Sequence, residues 1–256
     1  MIRLETRLKG SDARRDLPAY SPLDTANVSE QSSRVIAQTA YSKWGKRTLD
    51  LAVSVPALVL LLPVLGACAV AVVWDSSGPV LFRQSRVGRF GRPIQVLKFR
   101  TMFHSEVPQN RRLTVKGDQR VTRVGRYLRK FKLDELPQLI NVIRGDMSVV
   151  GPRPEVEEYV ASYNSEQARV LQMKPGITGA ASVVYSDEEA ELARHQDSER
   201  YYRDVVMPSK LRLDLSYGQH ISLLNDLELI LRTAFKIIRA PRRGVFSDTS
   251  PPSKES

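Results

Sequence analysis

Residues 51–73 read LAVSVPALVLLLPVLGACAVAVV, a run that contains no charged side chain. An α-helix rises about 1.5 Å per residue, so a run of this length can cross the ~30 Å hydrocarbon core of a bilayer. The sequence therefore predicts a membrane-inserted helix, and a simple transmembrane span is its first interpretation.

Two features of this run favour a helix that enters the bilayer and returns on the same side. Pro56 and Pro63 interrupt it, and an interior proline removes a helical hydrogen bond and bends the axis. Both flanks are basic, and basic flanks remain on the cytoplasmic side. The residues alone leave the span and the re-entrant helix open. The flanking cations are Lys43, Lys46 and Arg47 before the run and Arg83, Arg86, Arg89 and Arg92 after it.

Composition divides the chain into four parts. Residues 1–42 are polar without a sustained apolar period, which predicts a disordered N-terminal arm. Residues 43–78 form the membrane region, and residues 79–240 are expected to fold as a domain on the cytoplasmic side. Residues 241–256 are rich in proline and serine and predict a flexible tail.

Hydrophobic patterns predict an α+β fold that is mainly helical. Residues 79–100 have the pattern of a β-hairpin, and residues 119–148 are predicted to be mostly helical. Residues 187–204 are charged and predicted to be helical as well. Residues 220–238 form an amphipathic helix, which either packs on the core or lies on the membrane surface.

The charge distribution indicates an acidic partner. The chain has a net charge of +11, and residues 82–130 account for the whole excess, with fourteen Lys or Arg and two acids. Nucleic acid, anionic lipid and a phosphorylated substrate all fit this charge. Cys68 is the single cysteine, so an intramolecular disulfide is excluded.

The most unusual local feature is the segment KLDELPQ at residues 132–138. Proline is tolerated in the first turn of a helix, so Pro137 predicts a helix that begins near Asp134. The acids then either cap the helix or act chemically, by binding a divalent cation or by attacking phosphorus to form an acyl phosphate. Nearby cations are expected to lower the pKa of Asp134 and keep it ionised. These cations are Arg129, Lys130 and Lys132.

Other catalytic chemistries have little support in the sequence. His104, His195 and His220 are far apart and lack the spacing of metal ligands. The sequence contains neither a Walker loop nor a Gly-x-Ser-x-Gly elbow.

An ordered series of short motifs, from about Lys43 to Ile238, resembles the monotopic phosphoglycosyl transferases, also called bacterial sugar transferases. Each motif is weak alone, but the full series in this order is specific. Larger members carry an N-terminal four-helix region, and we expect the compact form here. The matching motifs are Lys46-Arg47 with Asp50, residues 78–80 and 82–88, Lys98 to Met102, residues 122–125 and 129–139, Asn141-Val142, residues 145–148, Gly151 to Pro154 and Lys174 to Gly179.

The resemblance implies roles for the acid motif and for the proline bend. Asp134 matches the family's nucleophile, which forms a covalent phosphosugar intermediate. Glu135 matches its partner, and both acids are expected to hold Mg²⁺. Pro63 matches the proline at which the family's re-entrant helix bends, so the resemblance favours the re-entrant interpretation.

The resemblance also implies a set of cations that bind the substrate phosphates. Arg129 matches an arginine near the phosphate, and Arg153 lies in the Pro-Arg-Pro loop near the substrate diphosphate. The matching motifs supply three further cations for this role. They are Lys98, Arg100 and Lys174.

The activity implied is transfer of a sugar-1-phosphate from a UDP-sugar to undecaprenyl phosphate with release of UMP, the first membrane step of exopolysaccharide or glycoconjugate synthesis. Expected partners are these two substrates and anionic lipids of the bacterial cytoplasmic membrane; a homodimer is left open, and nucleic acid is not expected. A membrane-tethered nucleic-acid-binding protein and a non-catalytic scaffold are the alternatives, which keep their function when Asp134 is replaced.

The sequence departs from the family pattern at two places. Leu62 stands where many relatives have serine before the bend, so a serine hydroxyl does not contribute to the bend here. Residues 180–182 read Ala-Ala-Ser where many members carry an aromatic residue and a glutamine. The resemblance therefore does not identify the contacts to the sugar or to the nucleotide.

Overall fold

The computed structural model describes residues 36, 39–103, 113–114 and 117–239. Most of the predicted N-terminal arm at residues 1–42, and all of the predicted tail at residues 241–256, lie outside these residues. The described elements are α1 (Lys46–Asp75), β1 (Leu81–Val87), β2 (Pro93–Phe99), α2 (Arg123–Lys130), α3 (Gln138–Arg144), β3 (Ser148–Val150), α4 (Glu157–Ala161), β4 (Gly176–Thr178), α5 (Ala180–Val184), α6 (Glu188–Leu192), α7 (Ser198–Tyr201), α8 (Met207–Gln219) and α9 (Leu223–Arg239).

The predicted apolar helix is present as α1, which a π-helical turn at Tyr41–Gly45 extends at its start. By length and composition the combined helix is able to cross a membrane, and only 11% of its most apolar window is buried in the protein. Both prolines lie inside α1. Its buried residues, Asp50, Ser54, Cys68 and Val72, are all near its two ends.

Side chains near the start of α1 fasten it to the folded domain. Arg47 donates to the carbonyl oxygens of Val142 and Ile143 at 2.6 and 2.7 Å, near the end of α3. Asp50 is buried and accepts hydrogen bonds from the hydroxyl of Ser148 and the backbone N–H of Val149, both at 2.8 Å. Free carbonyls at a helix end need donors, so Arg47 caps α3 while Asp50 holds β3.

The hairpin predicted at residues 79–100 is confirmed. Strands β1 and β2 pair antiparallel, in a register that sets Leu81 opposite Phe99 and Val87 opposite Pro93. A second small sheet pairs β3 with β4 in parallel. Together with the helices, these two sheets bear out an α+β fold that is mainly helical.

The hydrophobic core has two parts. The larger part is formed mainly by residues of the strands, α3, α8, α9 and the segments between them. The smaller part joins the last turns of α1 to β2 and α2 through Cys68, Val72, Phe99 and Leu128. The two ends of α1 therefore contact the folded domain, whereas residues 55–67 contain no buried side chain.

The helical predictions are confirmed with one correction. Residues 119–148 form two short helices, α2 and α3, with a 3₁₀ turn at Leu133–Glu135 between them. The charged segment at residues 187–204 is helical in several short pieces. The amphipathic helix is present as α9, which buries Leu229 but leaves Leu224 and Leu231 largely exposed.

Candidate active site

The two acids of the KLDELPQ segment lie in the 3₁₀ turn between α2 and α3. A 3₁₀ helix begins at Leu133, next to Asp134 as predicted, but the α-helix α3 begins only at Gln138, with Pro137 as its N-cap residue. Lys132 has a left-handed backbone with φ of 55°, which ends α2 and starts the turn. No side-chain capping bond is formed at either start, so the acids do not serve as helix caps.

The Asp134 carboxylate is buried without a partner for one of its oxygens. Asp134 is only 8% exposed, and its Oδ1 accepts no hydrogen bond within the described part of the chain. Buried polar atoms in folded proteins are almost always hydrogen-bonded. An orphaned carboxylate oxygen at this position therefore marks a place where a ligand can complete the contacts.

The pKa of Asp134 is raised, contrary to the sequence-based prediction. Burial is the largest cause, and the negative charge of Glu135 adds to it. Lys98, Arg129 and Lys132 do lower the pKa as expected, but their effect is smaller. The pKa of the carboxyl group therefore lies above that of an ordinary aspartate, and a cationic ligand favours its charged form.

The pKa of Glu135, the second acid of the turn, shifts in the opposite direction, so Glu135 remains ionised. Its carboxylate accepts two bonds from the Arg153 guanidinium, at 2.5 and 3.3 Å, and lies 3.7 Å from Lys98 Nζ. Burial favours the neutral acid, but the charges of Arg153 and Lys98 outweigh it and hold the Glu135 pKa well below its usual range. The same ion pair raises the pKa of Arg153.

Lys98 is a second cation beside the two acids, and its pKa is lowered by its surroundings. It projects from β2 towards both acids, and burial together with the nearby charge of Arg153 lowers its pKa to about 8. A lysine with such a pKa is largely charged at neutral pH and loses its charge in mildly alkaline solution. In alkaline solution the site therefore loses the charge of Lys98 but keeps the charge of Arg153.

Two tightly packed loops hold Arg153 in place. Gly151 N donates to Thr178 O at 2.8 Å, and Gly176 N donates to Pro152 O at 2.9 Å. A Cβ atom on Gly151 would lie 2.3 Å from the carbonyl oxygen of Lys174, so only glycine fits there. Backbone packing of this kind fixes the start of the Pro-Arg-Pro loop, and therefore the position of the Arg153 guanidinium.

Arg129 reaches the site from α2. Its Nε donates to Thr101 Oγ1 at 2.9 Å, and its guanidinium pairs with Glu189 of α6 at 3.1 Å. The α2 backbone is pressed against residue 101, because a Cβ on Gly125 would lie 2.2 Å from the Thr101 carbonyl oxygen. The contact with Glu189 was not predicted; its only signal in the sequence is a cluster of acids at residues 187–191.

Arg100, predicted to bind phosphate, lies elsewhere. Because β2 ends at Phe99, strand alternation no longer directs Arg100 to the side of Lys98. Its buried guanidinium donates to the carbonyl oxygens of Ser76 and Pro79 at 2.5 and 2.7 Å, so it satisfies the end of α1.

Lys174 is also separate from the acid turn. The charges that act on it are those of Asp50, Arg47, Arg89 and Asp146, and burial lowers its pKa. Arg47 and Asp50 belong to α1, so the structure does not bring Lys174 to the acid turn, and its predicted phosphate contact stays a prediction.

The geometry unites Asp134 and Glu135 with three of the five predicted phosphate-binding cations. Lys98, Arg129 and Arg153 surround two carboxylates, one of which lacks a partner. A surplus of fixed positive charge beside a buried carboxylate suits a ligand with several negative charges, such as a diphosphate.

Comparison with known proteins agrees with this geometry. Residues 41–240 match the family model described as bacterial sugar transferase. The chain is 41% identical over 191 residues to the UDP-glucose:undecaprenyl-phosphate glucose-1-phosphate transferase of Caulobacter vibrioides, covering 73% of this chain and 67% of that protein. It is 36% identical to the UDP-N-acetylgalactosamine-undecaprenyl-phosphate N-acetylgalactosaminephosphotransferase of Aeromonas hydrophila, covering 75% of this chain and 43% of that one.

A relative of similar extent is the exopolysaccharide production protein ExoY of Sinorhizobium fredii, 34% identical over 73% of this chain and 83% of its own length. The chain thus spans about two thirds of the Caulobacter protein and about two fifths of the Aeromonas protein. The family match includes α1, the acid turn and both loops that hold Arg153. The chain belongs to the bacterial sugar transferase family.

Proposed function

We propose that this protein transfers a sugar-1-phosphate from a UDP-sugar to undecaprenyl phosphate, releasing UMP through a covalent aspartyl-phosphosugar intermediate. The observation that carries the proposal is the buried, unpartnered Oδ1 of Asp134 among three cations. The names of the relatives support the same substrate classes, since they describe transferases between UDP-sugars and undecaprenyl phosphate.

In the first step an oxygen of the Asp134 carboxylate attacks the phosphorus atom that carries the sugar. A bond forms between that oxygen and phosphorus, and the bond from phosphorus to the oxygen shared with UMP breaks. UMP leaves with the bonding electron pair, and Asp134 becomes a mixed anhydride with the phosphosugar.

In the second step a phosphate oxygen of the lipid attacks the same phosphorus atom. The bond between phosphorus and Asp134 breaks, the carboxylate is regenerated, and the lipid carries the sugar through a new diphosphate. The mechanism separates one transfer between two large substrates into two steps at one carboxylate.

The cations stabilise the negative charge that shifts between oxygens in both steps. Arg153 is held in a fixed direction by Glu135, and Arg129 is held by Thr101, so both are oriented before the substrate arrives. Donors aimed in advance at a developing charge lower the barrier more than mobile ones. Lys98 adds a third charge between the two acids.

We also propose that Mg²⁺ binds with the diphosphate. Among described residues, no three His, Cys, Asp or Glu side chains form a metal cluster. Mg²⁺ often uses one or two carboxylates and completes its shell with phosphate oxygens and water. Asp134 Oδ1 is free for this role, and Glu135 Oε2 has only one long bond, at 3.3 Å. The ion would neutralise diphosphate charge; full turnover in metal-free buffer would exclude it.

We propose further that α1 is re-entrant and bends near Pro63, leaving the catalytic domain on the cytoplasmic face of the bacterial inner membrane. Contacts of both helix ends with one domain support this, as do Trp44 and Trp74, which lie on either side of the uncharged run and are 78% and 86% exposed. A membrane-impermeant thiol reagent should label Ser42→Cys and Ser85→Cys from the same side, in a Cys68→Ala background. Labelling from opposite sides would establish a straight span.

The covalent intermediate is tested by intact mass after incubation with a UDP-sugar and Mg²⁺ but no lipid acceptor. The wild type should gain one phosphosugar on Asp134 and lose it when undecaprenyl phosphate is added. Asp134→Asn should gain none, whereas Asp146→Asn, which changes an exposed acid, should behave as the wild type.

Two results would contradict the intermediate. An adduct on Asp134→Asn would place the nucleophile elsewhere, and a wild type that turns over without any adduct would favour direct transfer between the two substrates. Retention of the biological function by Asp134→Asn would instead favour a scaffold or a nucleic-acid-binding protein.

A further inference from the structure

We propose that the exposed side of α2 is the surface that receives the lipid acceptor and directs its phosphate towards Asp134. We call this the α2 outer face; it consists of Arg123, Arg126, Tyr127 and Phe131, and all four are exposed. The assignment rests on the proposed function, because it names the route of that reaction's second substrate.

The inner side of α2 lies against the apolar helix. Leu128 is buried among Cys68 and Val72 of α1, and the backbone N–H of Val124 donates to the Asp75 carboxylate at 2.9 Å. Cys68 and Val72 belong to the last two turns of the apolar run. A helix fastened to these turns lies at the level where the run meets the membrane surface.

The outer side of α2 has the composition of a lipid headgroup contact. Tyr127 and Phe131 are 44% and 40% exposed, and two arginines lie beside them. Aromatic rings are favoured at the boundary between hydrocarbon and water, and arginines there attract lipid phosphates. The surface thus suits a ligand with an apolar body and an anionic head.

The charge of this face is not balanced by any residue that the structure describes. Residues 119–133 contain no acid, and within the described residues Arg123 and Arg126 form no ion pair. On α7 and the π-helical turn after it, by contrast, Arg200 pairs with Asp204 and Arg203 with Glu199. The charges of Arg123 and Arg126 are therefore available to an anionic ligand at this face.

The same helix leads from this face into the site. Residues three or four apart on a helix are neighbours on its surface, so Arg126 adjoins both Arg129 and Lys130. Arg129 lies beside the acid turn, where its charge acts on Asp134. The cations therefore form a row from the exposed face to the nucleophile, along which a phosphate can pass without leaving positive charge.

The acceptor fits this row better than the donor does. Undecaprenyl phosphate has its phosphate at the membrane surface, where α2 lies against α1. A UDP-sugar is soluble and has no need of a surface beside the apolar helix. Bulk anionic lipid offers the same phosphate chemistry, so the experiment must separate it from the acceptor.

The test compares Arg123→Gln/Arg126→Gln with the control Arg200→Gln/Arg203→Gln, which also removes two surface charges. Each enzyme is assayed in vesicles of zwitterionic phospholipid that contain undecaprenyl phosphate. We expect the α2 variant to raise the KM for this acceptor about tenfold, since each surface cation contributes several-fold to binding an anionic lipid. UMP release without acceptor, and the thermal unfolding midpoint, should match the wild type.

Three results would overturn the assignment and leave the proposed function standing. One is a wild-type KM for the acceptor in the α2 variant. A second is slower UMP release without acceptor, which would make the face a donor site. A third is a defect that disappears once the variant is bound to vesicles containing phosphatidylglycerol, which would indicate bulk lipid binding. A wild type that releases no UMP contradicts the proposed function and this assignment with it.

Discussion

The protein contains two clusters of buried charge that differ in how completely they are satisfied. Where α1 and α9 meet, Asp226 is fully buried and accepts bonds from Tyr41 and Tyr217, both at 2.6 Å, and from Lys46 at 2.7 Å. At the acid turn, Asp134 is almost as buried, yet its Oδ1 has no donor among the described residues.

The two clusters therefore suit different roles: the Asp226 cluster holds the fold together, and the acid turn is open to a ligand. A fully satisfied polar cluster holds its elements in one arrangement, and here it ties the membrane helix to α9. A buried carboxylate with an open oxygen costs stability, and such sites are retained where a ligand or reaction uses them. The comparison predicts that replacing the two aspartates will affect different properties of the protein.

Asp134→Asn is expected to give the largest effect. The amide has similar size but is a poor nucleophile, so UMP release should fall by at least about a thousandfold. The free energy of unfolding should not decrease, because the change removes a buried charge that lacks a hydrogen bond. A clear loss of thermal stability in detergent would show that Asp134 has an undescribed structural partner.

Asp226→Asn should have the opposite outcome. Removing one partner from a buried ion pair leaves Lys46 uncompensated and weakens two tyrosine bonds, at a cost of about 3 kcal/mol. The unfolding midpoint should fall, while UMP release per folded molecule stays within a few-fold of the wild type. Asp146→Asn provides an exposed control. Normal stability combined with lost activity would show that Asp226 takes part in the reaction.

The sequence predicted those features that depend on local pattern. Each of three patterns is visible within one segment: the uncharged run, the alternation of the hairpin and the 3.6-residue period of α9. The sequence therefore predicted these three elements. The sequence singled out Asp134 and Glu135 because their motif stands in an ordered series of family motifs, and their catalytic roles stay predictions. The same motif match also marked Arg100 as a phosphate contact, although its burial and partners make it a cap of α1.

The rest depends on contacts between distant segments, which a single sequence does not contain. The pKa direction of Asp134 was wrong because adjacent cations are visible in the sequence, whereas burial is a property of the folded chain. Glu189 meets Arg129 across 60 positions, and Asp226 meets Lys46 across 180. No short motif records either pair.

The pH dependence of UMP release tests the acid turn separately from the Asp226 cluster. As the proposed nucleophile, Asp134 must lose its proton before it attacks; since its pKa is raised, activity should rise with pH beyond the range of an ordinary aspartate. Lys98 is charged below its pKa of about 8 and neutral above it, so activity should fall again in alkaline solution. Lys98→Arg keeps the charge and should remove the alkaline decrease; a decrease that remains would assign it to another group.

Glu189→Gln is expected to give the smallest effect, and it tests whether the chemical cluster is completed by the substrate. In the absence of substrate, Glu189 pairs with the Arg129 guanidinium, which the diphosphate is proposed to use. Since the glutamate side chain is 53% exposed, the pair is worth at most about 1 kcal/mol, or roughly fivefold in binding.

Loss of this competing carboxylate should therefore lower the KM for the UDP-sugar two- to fivefold, with little change in kcat. Glu228→Gln breaks a comparable exposed pair with Arg232 on α9 and should leave the KM unchanged. If Glu189→Gln instead raises the KM, the carboxylate orients Arg129 for the substrate and does not compete with it. In that case the Arg129–Glu189 pair resembles the Asp226 cluster, because a protein side chain and not the substrate would complete the contacts of the Arg129 guanidinium.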